Sequence, residues 1–133
     1  MRLVLRGLGI LVTTVLVWYA IQSVAAESGE VVILTTTKAD AEDERTRLWV
    51  VDHEGSQWLR SGSDVQGWYG NILERPEVEV MRGRESHLYT AVPNLESREV
   101  VNRLMQQKYG WADTYVGFFF SRENSIPIRL DPR

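Results

Sequence analysis

From Gly7 to Ala26 the chain runs 20 consecutive residues without a charge. A helix of about 20 apolar residues is what a bilayer core requires. Arg2 and Arg6 precede the run, and Glu27 and Glu30 follow it. The positive-inside rule then puts the N-terminus in the cytoplasm and the rest of the chain on the outer, periplasmic or extracellular side. Trp18 and Tyr19 suit the far interface, where amphipathic rings are favoured. A cleaved signal peptide fits the same basic start and apolar stretch, with small residues for the peptidase at Ser23-Val24-Ala25-Ala26. A buried or surface helix is the third reading. The first two both export the remainder. Residues 1–26 therefore read as a transmembrane anchor or signal peptide, and residues 27–133 as one folded domain of ordinary size.

The exported part is acidic. Arg2 and Arg6 are two of the 15 basic residues, so the 13 that remain face 18 acidic ones and leave a charge of −5. That balance argues against nucleic acid, which is gripped by a basic face. The chain has no cysteine, which removes disulfides, thiolate nucleophiles and thiolate metal sites.

Val31 lies in a β-branched stretch, Glu30–Thr37, that reads as a buried strand. Lys38–Arg45 is charged and aperiodic and reads as a loop. Thr46–Asp52 and Ser56–Arg60 form the clearest hairpin, turning at His53-Glu54-Gly55. Asp64 is placed to cap a helix over Val65–Glu74, which Pro76 stops. Glu77–Arg82 alternates with period two, and Glu85–Val92 follows after a turn at Gly83. Asn94 caps a longer helix over Leu95–Tyr109, ended by Gly110. Trp111–Phe120 is aromatic and reads as a short helix. Ile126–Leu130 closes the chain as a strand, with Pro127 marking an edge or a strand start. The order β-β-β-α-β-β-α-α-β, with hairpins rather than βαβ units, predicts an antiparallel sheet closing into a barrel, an α+β fold that is mainly β.

Standard catalytic signatures are missing from the sequence: there is no G-x-S-x-G, no Walker A motif and no G-x-G-x-x-G. His53 and His87 lack metal-ligand spacing, so no metal site is expected. Gly67-Trp68-Tyr69-Gly70-Asn71-Ile72 carries more information. Neighbouring residues on a helix lie about 100° apart, so Trp68 and Tyr69 cannot both point inward. Asn71 adds an amide that donates and accepts. Ser61-Gly62-Ser63, just before a helix start, offers hydroxyls and backbone N–H groups to an anion or a cofactor oxygen. An ordinary capped helix with aromatic packing explains the same residues.

The stretch from Val31 to Pro132 resembles the deazaflavin (coenzyme F-420)-dependent nitroreductase and quinone reductase family. The residues that carry the likeness are Leu34–Thr37, Thr46-Arg47-Leu48, Ser61-Gly62-Ser63, Trp68-Tyr69-Gly70-Asn71-Ile72 with Arg75-Pro76-Glu77-Val78, Tyr109 with its aromatic sequel, and Arg122 with Ile126-Pro127-Ile128. The resemblance implies an antiparallel split β-barrel of the flavin-reductase, pyridoxamine-phosphate-oxidase-like type. It implies deazaflavin or FMN as cofactor, with Thr46, Ser61, Gly62, Ser63, Trp68, Tyr69, Asn71 and Arg75 around it. It implies Tyr109 and Tyr115 beside the electron acceptor, as catalytic residues. The implied reaction is hydride transfer to a quinone or nitro compound, and a membrane anchor suits a lipophilic quinone. Family members often pair, so a homodimer is an open alternative. One segment departs from the family. Where relatives carry a basic loop after the first strand, this chain has Lys38-Ala39-Asp40-Ala41-Glu42-Asp43, whose three carboxylates oppose a phosphate. A non-catalytic barrel holding haem or flavin, and an exported interaction protein, are the competing readings.

Overall fold

The computed structural model describes residues 1–27, 29–65 and 67–133, with side chains excluded for 22–27. The small residues Ser23–Ala26, where a peptidase would cut, therefore lie outside the described side chains, and Gln66 lies outside the described residues. Helix α1 spans Arg2–Glu27. Its segment Arg2–Ile21 is long and apolar enough to cross a membrane or to serve as a signal sequence. Thr13 and Thr14 donate their hydroxyls to the carbonyls of Gly9 and Ile10, at 2.9 and 2.8 Å. Those bonds satisfy both hydroxyls within the helix, as an apolar medium requires.

The remainder is a seven-stranded antiparallel sheet with three further helices. Its strands are β1 (Val31–Thr37), β2 (Asp43–Trp49), β3 (Val51–His53), β4 (Ser56–Ser61), β5 (Glu77–Arg82), β6 (Glu85–Pro93) and β7 (Ile126–Pro132). The helices are α2 (Gly67–Glu74), α3 (Arg98–Tyr109) and α4 (Trp111–Gly117). The strand order is β2-β1-β5-β6-β7-β4-β3. The two edge strands, β2 and β3, are separated in sequence by Val50 alone. A sheet whose opposite edges are one residue apart has to curl until those edges meet. This is the split β-barrel of the flavin-reductase, pyridoxamine-phosphate-oxidase-like type that the sequence implied.

Alternation fixes which face is inside. Val32, Leu34 and Thr36 of β1 and Val78 and Val80 of β5 are buried, while Glu77 and Glu79 point to water. These valines and Leu34 join Leu59, Ala91, Ile126, Ile128 and Leu130 in the barrel core, and α2 contributes Trp68 and Ile72 to it. A second cluster lies outside the barrel wall, where Val51 and Trp58 meet Val101, Met105 and Tyr109 of α3. The side chains of Val50 and Val51 thus go to opposite faces, one into the barrel and one to α3.

Several expected boundaries move. The strand expected over Thr46–Asp52 begins three residues earlier and breaks at Val50. Asp43, Glu44 and Arg45 pair with Thr37, Thr36 and Thr35, because an edge strand leaves its charged side chains in or near water. The hairpin with β4 involves only Val51–His53. Its turn places Glu54 and Gly55 at φ 51° and 76°, the positive values of a two-residue type I′ connection. The long helix after Asn94 starts as a 3-10 turn over Leu95–Ser97, with Asn94 Oδ1 accepting from the Glu96 N–H, and becomes α-helical at Arg98. Helix α2 begins at Gly67 rather than Val65. Pro127 lies at a strand start but not on an edge, since β7 pairs with both β6 and β4.

Candidate functional site

The outer face of the barrel wall, where β2 turns into β3, meets α3 and α4 across a cleft of about 200 Å³. Arg47, Leu48 and Trp49 of β2, with Arg60 and Gly62 from β4 and its end, form one side. Met105, Val116, Phe120 and Arg122 form the other. The lining therefore holds three guanidinium groups and, among the described residues, no acid.

Asp113 supports this lining from behind. Its carboxylate is 4% exposed and takes ion pairs from Arg60 and, at 2.8 Å, from Arg122. Arg122 also donates to the Asp113 carbonyl at 2.6 Å. Arg60 reaches Asn102 Oδ1 at 3.3 Å, and Asn102 donates to the Arg122 carbonyl at 3.1 Å. The Ser125 hydroxyl lies 2.8 Å from that same carbonyl and 3.1 Å from Asn102 Oδ1. Two cations, the buried Arg60 side chain and the half-buried Arg122, share one carboxylate, so the network keeps a positive excess. Burial, and then the charge of Arg60, pull the Arg122 guanidinium below its ordinary pKa, while Asp113 opposes them. An anion in the cleft would offset that positive excess.

Trp49 forms the flat wall. Its ring stacks on Tyr109 with centroids 4.3 Å apart and 9° between planes. The Tyr109 hydroxyl donates to the Glu30 carbonyl at 2.6 Å and accepts the Val50 N–H at 3.0 Å. Burial raises its pKa, with the Val50 hydrogen bond acting against it. The phenol thereby fixes the backbone of the β2–β3 corner. Glu30, at the mouth of β1, pairs with Arg82 at 2.9 Å and Lys108 at 2.7 Å, and Arg82 also holds Asp52 at 2.8 Å. Hydrogen bonds from Arg82 and then Lys108 hold the Glu30 carboxyl down to about 2.

The ten residues expected at the site are spread over the molecule. Gly62 is the one that lines the cleft. Thr46 adjoins it on β2 and faces Leu34 across the pair. Ser61 is buried and donates to the Ser63 carbonyl at 2.6 Å, while Ser63 Oγ accepts from the Val65 N–H at 3.4 Å. Trp68 is a core residue at 3% exposure, and Tyr69 packs beside it half-buried. The Asn71 amide donates to Thr36 Oγ1 at 3.0 Å and to the Glu44 carboxylate at 2.9 Å, joining α2 to β1 and β2. Arg75 pairs with Glu74 at 3.3 Å. Tyr109 stands behind Trp49, and Tyr115 meets Phe119 edge-on at 5.5 Å. Among the described residues no cluster of His, Asp and Glu is arranged to hold a metal ion.

The cleft residues that sequence reasoning did not single out as site residues are Arg47, Trp49, Arg60, Arg122 and their partner Asp113. One signal pointed to Asp113, an acid inside the apolar run Trp111–Phe120. Buried acids need partners, and here they are Arg60, 53 positions away, and Arg122, nine positions on.

No protein-family model matches the chain, and no curated protein is detectably similar in sequence. Solved structures do match. A conserved hypothetical protein of Mycobacterium tuberculosis aligns with a TM-score of 0.61 at 18% identity, over 86% of this chain and 79% of that one. An F-420-H2-dependent reductase aligns at 0.58 and 24% identity, over 74% and 92%. HutZ, a haem storage protein of Vibrio cholerae, aligns at 0.60 and 12% identity, over 82% and 85%. The likeness is one of fold.

Proposed function

We propose that the chain is a membrane-tethered oxidoreductase that binds a flavin-type cofactor, deazaflavin or FMN, in the arginine-lined cleft and reduces a quinone or nitro compound. The observation that carries this reading is the pairing of three guanidiniums with the flat Trp49 wall. A flavin-type group is planar at one end and anionic at the other, and the lining suits both. Structural neighbours that are reductases of the same fold support it.

Arg47, Arg60 and Arg122 would hold the anionic part, with Asp113 keeping the last two aimed. Trp49, Met105 and Phe120 would flank the ring and exclude water. When bound, such a group supplies a hydride, and the acceptor takes that hydride and a proton to become the hydroquinone or a reduced nitrogen product. The α1 helix, with its basic start, would keep the barrel at the outer membrane face, where a lipophilic quinone collects. The acidic turn between β1 and β2 does not disturb this arrangement. Asp43 lies about 13 Å along β2 from Arg47, at roughly 3.3 Å per residue.

The likeness of fold to HutZ, a haem storage protein, favours a second reading, a barrel that holds haem or a flavin without turnover. The two readings separate in one assay. Full-length protein in vesicles is given reduced F-420 or reduced FMN and a membrane-soluble quinone. Oxidation of the cofactor well above the protein-free rate supports the enzyme. Stoichiometric binding of any of the three ligands with no acceleration supports the second reading, and neither binding nor acceleration contradicts both.

A further inference from the structure

We infer that the outward face of α4 and the phenylalanines after it form a second membrane contact, lying on the lipid interface beside the point where α1 leaves the bilayer. The inference rests on reading α1 as a membrane anchor.

Helix α4 buries Ala112 and Asp113, leaves Trp111 exposed and holds Tyr115 half-buried. Trp111, Phe118 and Phe119 are 56%, 81% and 57% exposed. Trp111, Tyr115 and Phe118 stand at i, i+4 and i+7, which is one side of a helix. Phe118 keeps helical dihedrals as the cap, so the row continues past Gly117. Exposed Trp111, Phe118 and Phe119 grouped around the half-buried Tyr115 make a contiguous aromatic patch, and such a patch marks an interaction surface, whereas scattered single rings do not.

Four observations make lipid the occupant. Only residues 28–30 separate α1 from β1, and three residues span at most about 11 Å. The barrel is clamped at the end of that link, through Glu30 to Arg82, Lys108 and the Tyr109 hydroxyl. Trp111 follows Tyr109 by two residues, so α4 starts beside the Tyr109 anchor, and α1 and α4 are in contact. The residue types are Trp, Tyr and Phe, those favoured at a membrane interface.

The placement has a consequence for the cleft. Val116 and Phe120 belong to the α4 segment and also line the cleft. With α4 on the lipid surface, the cleft mouth borders the bilayer. A lipid-dissolved acceptor then enters sideways from the membrane rather than through water.

The absence of native cysteine allows single nitroxide labels. Full-length Val12→Cys, Phe119→Cys and Asp40→Cys variants are labelled and reconstituted in phosphatidylcholine–phosphatidylglycerol vesicles. Asp40 is at the far end of β1 from the tether. Collisions with oxygen and with a water-soluble nickel complex are compared for each. Labels at 12 and 119 are expected to favour oxygen, and the ratio is expected to invert at 40. Lipid contact at 12 with a watery label at 119 overturns the inference and leaves the anchor standing. Watery labels at both overturn the two together. A label at 119 shielded from both reagents, with spin–spin broadening, means that a second copy covers the patch, and also overturns it. Phe118→Cys repeats the measurement if Phe119→Cys fails to fold.

Discussion

The Trp49 ring lies parallel to the Tyr109 ring at 4.3 Å, so the flat wall of the cleft is the outer layer of a two-ring stack. The inner ring is pinned by its hydroxyl to Glu30 and Val50. The wall of the site and the corner of the barrel are therefore one structural unit.

Tyr109→Phe tests that unit. The stack survives, but the Val50 N–H loses its acceptor and the Glu30 carbonyl its donor. Leaving buried backbone groups unsatisfied costs about 1–3 kcal/mol. Urea denaturation should show a loss of that size. If turnover per folded molecule is near wild type, Tyr109 is a positioning residue. A large loss of turnover with unchanged stability would instead restore it as a catalytic one.

Asp113→Asn leaves the buried Arg60 and the half-buried Arg122 without their shared carboxylate. Removing one partner of a buried ion pair destabilises by about 3–5 kcal/mol. The double variant Asp113→Asn, Arg60→Met should recover part of that loss, measurable in a double-mutant cycle. Full additivity would contradict a coupled network.

Trp68→Ala should behave as a core truncation. Large aromatic-to-alanine changes in a core cost about 3–5 kcal/mol. The variant is expected to melt early. Weakened cofactor binding at unchanged stability would return Trp68 to the binding site.

The Glu30 cluster sets an acid limit. Its folded pKa of about 2 lies below the ordinary glutamate value of 4.5. The stabilisation is therefore fully present above about pH 4.5 and is lost as pH falls toward about 2. Asp52 is lowered in the same direction, first by its hydrogen bond to Arg82. The Glu30 side chain is 37% exposed, so water and salt screen the effect. Wild type should lose its stability advantage over Glu30→Gln between pH 5 and pH 2 (a window of roughly these limits follows from the two pKa values). An advantage that persists at pH 2 would contradict the assignment.

Much of the fold is legible in the sequence, and for local reasons. Val32, Leu34, Val78 and Val80 alternate with outward residues, and Gly55 and Gly83 mark turns at positive φ. Asp43–Arg45 escaped detection as strand because a charged edge strand and a loop look alike in sequence. The break at Val50 is dictated by closure of the barrel, which no local pattern encodes. The cleft is harder still. Arg47, Arg60, Asp113 and Arg122 span 75 positions, and each alone reads as an ordinary charged residue. Only the strand order, and the packing of α3 and α4 over β4, bring them together. Trp68 and Asn71 stood out in sequence through their motif, and the structure gives both a place in packing α2 onto the barrel.

The most direct measurement is calorimetric titration of FMN and of F-420 into the full-length protein and into its Arg47→Glu variant. Arg47 is exposed and lines the cleft, whereas Asp113 is held by Arg60 and Arg122. At least one of the two cofactors should bind wild type at micromolar concentration, and the variant should bind it at least about tenfold more weakly, a difference of about 1.4 kcal/mol. No binding of either at tens of micromolar (roughly −6 kcal/mol on the same scale), or equal binding by wild type and variant, would contradict the arginine cleft as the cofactor site.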